Sequence, residues 1–277
     1  MTAAHPPGAV AVVGHVEWVT HALGTVPGRG HIADLSDPLT EPAGGGAVAA
    51  CAAARLGAVT TLVTALGEDE PAARSRAILE ARGVQVIAAG RTRSQTPVLS
   101  ITEPDGERTI MVVGARLQAG PDDPVDWKCI GSMDAAYYAG EHPGALVHAR
   151  RAASLVVTAR RLEDVRAAGV RPDVIVASAA DPDEDPWGLP GHLAARAIVV
   201  TDGSRGGSVH EAGRAARAYD PVAPPGPLID SYGCGDSFAA GIAVGLARGL
   251  VGHGACTLGA VAGARCATWR GGLGPAP

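Results

Sequence analysis

Four short apolar runs recur along the second half of the chain: Ala135–Gly140 (AAYYAG), Ser154–Arg160 (SLVVTAR), Val174–Ser178 (VIVAS) and Ala197–Gly203 (AIVVTDG). Each reads as a strand buried on both faces, and polar or helix-prone stretches separate them. Repeated strand and helix units of this kind build a parallel sheet with right-handed crossovers. Ala9–Val13, Val59–Leu66 and Val84–Ala88 add strands of the same type in the first half, with a helix over Arg74–Arg82 stopped by Gly83. Only 3% of the residues are aromatic, with a single Phe, so Ala, Val, Leu and Ile must fill the core. Such a core suits parallel strands covered by Ala-rich helices. At 277 residues one α/β domain with an appendage accounts for the whole chain, 1–277. Thr96–Thr102 and Arg108–Val113 are strand-like around Pro104-Asp105-Gly106-Glu107, a hairpin signal, and a hairpin inserted here is expected to stay out of the parallel sheet.

The stretch with the most chemistry is Ile229–Gly249, IDSYGCGDSFAAGIAVGLARG. An acidic residue and a glycine-rich turn precede a run with helical character from Ser237 onward. Gly233 and Gly235 carry no side chain to block an approaching anion, and the first amides of a helix carry roughly half a positive charge. Asp236 stands in the same turn and is favoured there as the anion. A carboxylate beside a phosphate cradle can take the proton from a hydroxyl attacking in line. Taken alone, Gly-x-Gly-Asp is equally a tight turn with an Asp cap.

Two further glycine clusters suit close approach of a ligand to backbone amides. Ala43-Gly44-Gly45-Gly46 leads into the helix-prone AVAACAAARLGA, and Thr201-Asp202-Gly203-Ser204-Arg205-Gly206-Gly207 follows a strand. After the first strand, at the sheet end where open α/β folds bind ligands, His15, Glu17 and His21 are candidate polar contacts. The spacings of His15, His21 and His31 match no common metal-ligand pattern. A net charge of -5 gives no electrostatic reason to expect nucleic acid or an anionic membrane as partner. Cys51, Cys129, Cys234, Cys256 and Cys266 are odd in number and widely spaced, which argues against disulfides or zinc and for a reducing cytoplasm. No segment approaches a membrane span of ~20 apolar residues, and no signal peptide is evident.

Asp230-Ser231-Tyr232-Gly233-Cys234-Gly235-Asp236-Ser237-Phe238 resembles the D-T-x-G-A-G-D-x-F signature of the PfkB, or ribokinase-like, carbohydrate kinase family. Arg55-Leu56-Gly57 behind the glycine cluster and Gly67-Glu68-Asp69 resemble that family's first signature region and its G-D-D turn. The resemblance implies a three-layer α/β/α sandwich with a small β lid built from segments near 15–42 and 95–115. It implies transfer of the γ-phosphoryl group of ATP to a hydroxyl of a sugar or related polyol, with Asp236 as base and the amides of Gly233, Cys234 and Gly235 as anion hole. Thr201, Gly203, Arg205, Gly206, Gly233, Gly235 and Gly263 then face the nucleotide. Glu17, Gly44, Gly45, Gly46 and Asp236 face the acceptor, and Arg108 or Arg116 could reach in from the lid. Ser178-Ala179-Ala180-Asp181 stands where the family has N-x-x-E, which gives Asp181 to magnesium, while Asp230 belongs to a monovalent-cation site such as one for potassium. A homodimer through the lid is compatible with the family.

The chain departs from the family in three places. Glu17 is the nearest carboxylate where the family has a sugar-binding Asp, Ala47 and Val48 stand where it has an Asn, and Ser178 and Asp181 replace N-x-x-E. A kinase for nucleosides or other small alcohols, or a catalytically lapsed ligand sensor, therefore stays open.

Overall fold

The computed structural model describes residues 8–104 and 108–276. In chain order the elements are β1 (Ala9–Gly14), β2 (Glu17–Leu23), β3 (Ser36–Ala43), α1 (Gly44–Arg55), β4 (Val59–Leu66), α2 (Glu70–Ala81), β5 (Val84–Gly90), β6 (Pro97–Thr102) and β7 (Arg108–Val112). There follow β8 (Ala135–Ala139), α3 (Pro143–Ala149), β9 (Ser154–Thr158), α4 (Leu162–Ala168), β10 (Val174–Ser178), β11 (Ala197–Thr201), β12 (Gly207–Glu211), β13 (Arg217–Tyr219), α5 (Cys234–Ala247) and α6 (His253–Cys266).

The large sheet has the order β13-β12-β11-β10-β9-β8-β1-β4-β5 and is parallel from β11 to β5, with β12 and β13 added antiparallel at one edge. From β1 the chain moves one way to β4 and β5, then returns to β8 on the other side and continues outward. The order therefore reverses between β1 and β8, paired from Val10↔Ala135 to Gly14↔Ala139. The crevice at the carboxyl ends of two such strands is where open α/β sheets take ligands.

Alternation along the strands separates two cores. Val10 and Val12 of β1 and Tyr137 of β8 face a core shared with α1 and α5, including Leu62, Phe238 and Ile242. Ala11, Val13 and Tyr138 face the opposite core with Leu146, Leu155 and Ile175. Side chains of small volume let the covering helices approach closely. A Cβ on Gly241 of α5 would stand 2.7 Å from the Gly259 Cα of α6, so these helices meet backbone to backbone.

The second sheet, β3-β2-β6-β7, is separate, as the hairpin signal led one to expect. β6 and β7 pair antiparallel from Val98↔Val112 to Thr102↔Arg108, while β2 and β6 run parallel. The Asp105-Gly106 turn itself lies outside the described residues. Three helices begin earlier than their sequence suggests, α1 taking in Gly44–Gly46 ahead of Ala47. Asp69 caps α2, its carboxylate accepting the Ala72 N–H at 3.2 Å with Pro71 in the first turn, so the helix starts at Glu70 instead of Arg74. α5 starts at Cys234 instead of Ser237, because Gly233 turns through φ +75° and leaves Cys234 and Gly235 helical. Among the described residues no helix is long and apolar enough to cross a membrane.

Candidate active site

Three backbone segments converge at the sheet's point of reversal: the loop after β1, the start of α1, and the turn into α5. Their approach depends on glycine. A Cβ on Gly46 would lie 2.7 Å from the Gly14 carbonyl carbon, one on Gly44 2.8 Å from the His15 ring, and one on Gly45 3.1 Å from Asp236 Oδ1. Gly44 also holds φ +85°, which side chains with a Cβ rarely adopt. The amides of all three are engaged within the protein: Gly44 N–H donates to the Tyr232 hydroxyl (3.4 Å), Gly45 N–H to His15 Nε2 (3.3 Å) and Gly46 N–H to the His15 carbonyl (3.0 Å). The glycines thus form the wall of the site, and its free donors lie elsewhere.

His15 joins the two strands flanking the reversal. Its Nε2 accepts from Gly45, which leaves Nδ1 to donate to the Ala139 carbonyl at the end of β8 (3.2 Å). Glu17, 3% exposed, lies 3.9 Å from His15 Nε2 and accepts from Arg116 Nε at 2.6 Å. Arg116 extends on to Glu141, 3.4 Å away. A buried carboxylate and a half-buried guanidinium are thereby fixed side by side on the same wall.

Asp236 occupies the first turn of α5, and Tyr137, fully buried in β8, donates its hydroxyl to Asp236 Oδ1 at 2.7 Å. Burial raises the Asp236 carboxyl above its ordinary range, and the Tyr137 hydrogen bond, His15, Arg160 and Arg108 pull the other way. Around it, the N–H groups of Gly233, Gly235 and Asp236 have no protein acceptor among the described residues, whereas Cys234 N–H donates to the Ser231 carbonyl at 3.3 Å. A Cβ on Gly235 would meet open space. Arg108 reaches from β7 to the Ser231 hydroxyl and, among the described residues, pairs with no carboxylate. The turn into α5 therefore brings together an acid, amides without a protein acceptor among the described residues, and the Arg108 cation on Ser231.

The other expected residues are scattered. Thr201 donates its hydroxyl to the Ala177 carbonyl (3.2 Å), and Arg205 is exposed and forks onto Asp202 (2.5 and 2.8 Å). Gly203 is open, while Gly206, at φ +85°, lets the turn pass Pro221, whose nitrogen would be 2.9 Å from a Cβ. Gly263 faces the Cys234 carbonyl, 3.3 Å from a would-be Cβ, and so seats α6 against the start of α5. Asp181 pairs with Arg160, which also holds Glu184 at 2.7 Å; Glu184 in turn accepts the Ser178 N–H at 2.7 Å. Burial raises Glu184. Asp181, Glu184 and the Ser178 hydroxyl at the end of β10 are hard oxygen donors of the kind magnesium takes, but Arg160 holds both carboxylates, and among the described residues no group of three or more His, Cys, Asp or Glu side chains is placed to hold a metal.

Asp230 lies under the turn, 7% exposed, accepting the Tyr232 N–H (2.9 Å) and the Gly271 N–H (3.1 Å). Beside it Glu41 accepts from Gly272 (2.9 Å) and Leu273 (3.2 Å), and its carboxyl is raised by burial. His21 stands 3.6 Å from Glu41 with neither ring nitrogen hydrogen-bonded; burial lowers it to about 4, so it is neutral at pH 7. Asp230 and Glu41 are buried oxygen donors of the kind a monovalent cation takes, each already accepting two backbone N–H groups. His21 is thus no part of the Asp236 wall, from which Tyr232 separates it, the two rings meeting edge to face at 4.7 Å.

Sequence reasoning passed over Tyr137. A Tyr-Tyr pair in a fully buried strand sends one hydroxyl to each face, and each needs a partner. Tyr138 finds the His142 carbonyl at 2.9 Å and Tyr137 finds Asp236.

A model of the family described as pfkB family carbohydrate kinase matches residues 9–180 and 189–277. The acarbose 7(IV)-phosphotransferase of an Actinoplanes species is 43% identical over 75 residues, which spans 27% of this chain and only 25% of that protein. The Arabidopsis thaliana ribokinase complexed with ribose and ATP superposes with a TM-score of 0.75 at 17% identity, covering 97% of this chain and 95% of that one. A microbiome-derived acarbose kinase gives a TM-score of 0.76 at 20% identity, covering 95% and 93%. At these identities the two structures speak for the fold.

Proposed function

This chain belongs to the pfkB family of carbohydrate kinases, phosphotransferases that act on hydroxyl groups, and on that premise we propose that it transfers the γ-phosphoryl group of ATP to a hydroxyl of a sugar or related polyol at Asp236. The observation that carries the reading is the Asp236 carboxylate at the start of α5, held by Tyr137 at 2.7 Å, beside unpartnered amides and at the sheet's point of reversal.

Asp236 accepts the proton of the acceptor hydroxyl as that oxygen bonds to the γ-phosphorus, while the bond from phosphorus to the bridging oxygen breaks and ADP departs. The N–H groups of Gly233 and Gly235, with that of Asp236, take the charge on the transferring group, and Arg108 closes on it from the small sheet. The Cys234 amide has a weaker part, being already shared with Ser231. Glu17 with Arg116, and the edge of His15, face the acceptor's other hydroxyls; a neutralised pair suits an uncharged carbohydrate. Magnesium, held by Asp181 and Glu184, would supply neutralising charge to the phosphates, and Asp230 would hold a monovalent cation beneath the turn. The small sheet serves as a lid that keeps water from competing as acceptor. The Thr201–Gly207 loop lines the nucleotide side through its backbone, since Arg205 is committed to Asp202.

The test is ATP consumption across pentoses, hexoses, inositols, nucleosides and an acarbose-type pseudo-oligosaccharide, with Asp236→Asn beside the wild type. Loss of the base is expected to cost about 10²- to 10⁴-fold in kcat for the preferred acceptor. Full activity in that variant would remove Asp236 from the chemistry, and turnover with none of these acceptors would overturn the kinase reading.

A further inference from the structure

We propose that Tyr137 is a positioning residue for the base: its hydroxyl holds Asp236 Oδ1, so that Oδ2 alone meets the acceptor hydroxyl and receives its proton. The inference rests on the reading of Asp236 as base and deepens it.

Three observations support it. First, Tyr137 is 0% exposed in the middle of β8, and the Asp236 contact at 2.7 Å is the hydrogen bond its hydroxyl makes. Packing alone would be served by Phe, so burying this oxygen is justified by what it holds. Second, Gly45 at the start of α1 lies close to Oδ1: a Cβ there would stand only 3.1 Å away. The Tyr137 hydroxyl and the α1 backbone thus both border the carboxylate at Oδ1. Third, burial and the adjacent Asp236 hold the Tyr137 hydroxyl well above its usual range, so it is protonated and a donor at neutral pH.

A permanent donor at Oδ1 has a chemical consequence. It stabilises the ionised carboxylate, and after proton transfer it keeps Oδ1 as the carbonyl oxygen, which places the accepted proton on Oδ2 facing the cleft. The other groups that bear on Asp236 are His15 from the loop after β1, Arg108 from β7, Arg160 after β9 and Tyr232 before α5. Arg161 and Glu184 act on Tyr137 itself. None of them donates a hydrogen bond to Oδ1, so removing the tyrosine oxygen isolates its effect.

The experiment is Tyr137→Phe, read two ways. The acid limb of the kcat profile is expected to move up by about one pH unit, the size of a hydrogen bond to a charged acceptor, with KM for acceptor and ATP within about threefold. Independently of turnover, the ¹³C-carboxyl resonance of Asp236, assigned by its loss in Asp236→Asn, should titrate about one pH unit higher in Tyr137→Phe. An unchanged midpoint overturns the proposal even if activity falls, since a purely structural tyrosine would not move it. If the wild type phosphorylates no acceptor, the kinase reading fails while the carboxyl titration still decides the Tyr137 contact. Should Tyr137→Phe not fold, 3-fluorotyrosine placed at 137, a more acidic donor, is expected to lower the midpoint, and no movement would count against the proposal.

Discussion

Gly235 and Gly45 border the same carboxylate and respond to a methyl group in opposite ways. At Gly235 a Cβ meets open space in the first turn of a helix, so Gly235→Ala is expected to keep or gain up to about 1 kcal/mol of stability. Its methyl nevertheless fills the face that the proposed mechanism gives to the transferring phosphoryl group, and kcat should fall at least about tenfold with no loss of Tm. At Gly45 the same methyl would stand 3.1 Å from both Asp236 Oδ1 and the Ala139 Cβ, so Gly45→Ala should lower Tm and kcat together. Urea unfolding alongside steady-state kinetics separates the two. Cys234→Ala is expected to leave kcat within about threefold, because the proposed mechanism uses no thiol; the Cys266 contact lowers that thiol on balance, against burial. The Asp236 turn was legible as residues because glycine, acid and helix start are adjacent in the chain. Tyr137, 99 positions away, was not, because its role arises only when β8 and α5 are brought together.

Helices and strands were legible where burial is continuous, and less so at their ends. β4 falls where the apolar run places it, while the starts of α2 and α5 depend on a capping Asp and a left-handed glycine that periodicity does not report. The contact between α5 and α6 is invisible in hydrophobic pattern because glycine makes it. Gly241→Ala improves intrinsic helix propensity by about 1 kcal/mol, yet drives a Cβ to 2.7 Å from the backbone of α6. The clash wins, and a net loss of about 1–3 kcal/mol is expected by chemical denaturation. In the small sheet, β2 carries the neutral buried His21. Its folded value of about 4 lies below the 6.5 of an exposed imidazole, so the unfolded chain binds the proton more readily between them. The stabilisation is complete above pH 6.5 and is lost as pH falls toward 4, a span worth on the order of 3 kcal/mol. Glu41, raised by burial, has the opposite slope, so the measurement is a difference: in potassium-free buffer, wild-type stability should fall more steeply from pH 6.5 to 4 than that of His21→Leu.

At the scale of the whole molecule, two sheets must act as one enzyme, and arginines join them at both ends. Arg270, beyond α6, donates to the His21 carbonyl at 3.0 Å and to Asp37 on β3, and is 19% exposed. Arg108, exposed on β7, reaches the turn into α5 through the Ser231 hydroxyl. The two bonds connect the same sheet to the same body but differ in what surrounds them. Arg270 is mostly enclosed and ties the part-buried His21 carbonyl to Asp37, so Arg270→Ala is expected to cost about 1 kcal/mol with kcat little changed. Arg108 gains little from a solvated hydroxyl, so Arg108→Ala should leave unfolding within about 0.5 kcal/mol of the wild type. Its charge has no carboxylate partner among the described residues and reaches the turn whose amides the proposed mechanism gives to the transferring group. Removing it is therefore expected to lower kcat/KM at least about tenfold. Added salt should weaken the wild-type dependence on ATP more than that of the variant, as screening of an exposed charge requires. A wild-type kcat/KM in Arg108→Ala, at any ionic strength, would show that the small sheet covers the site without contributing to its chemistry.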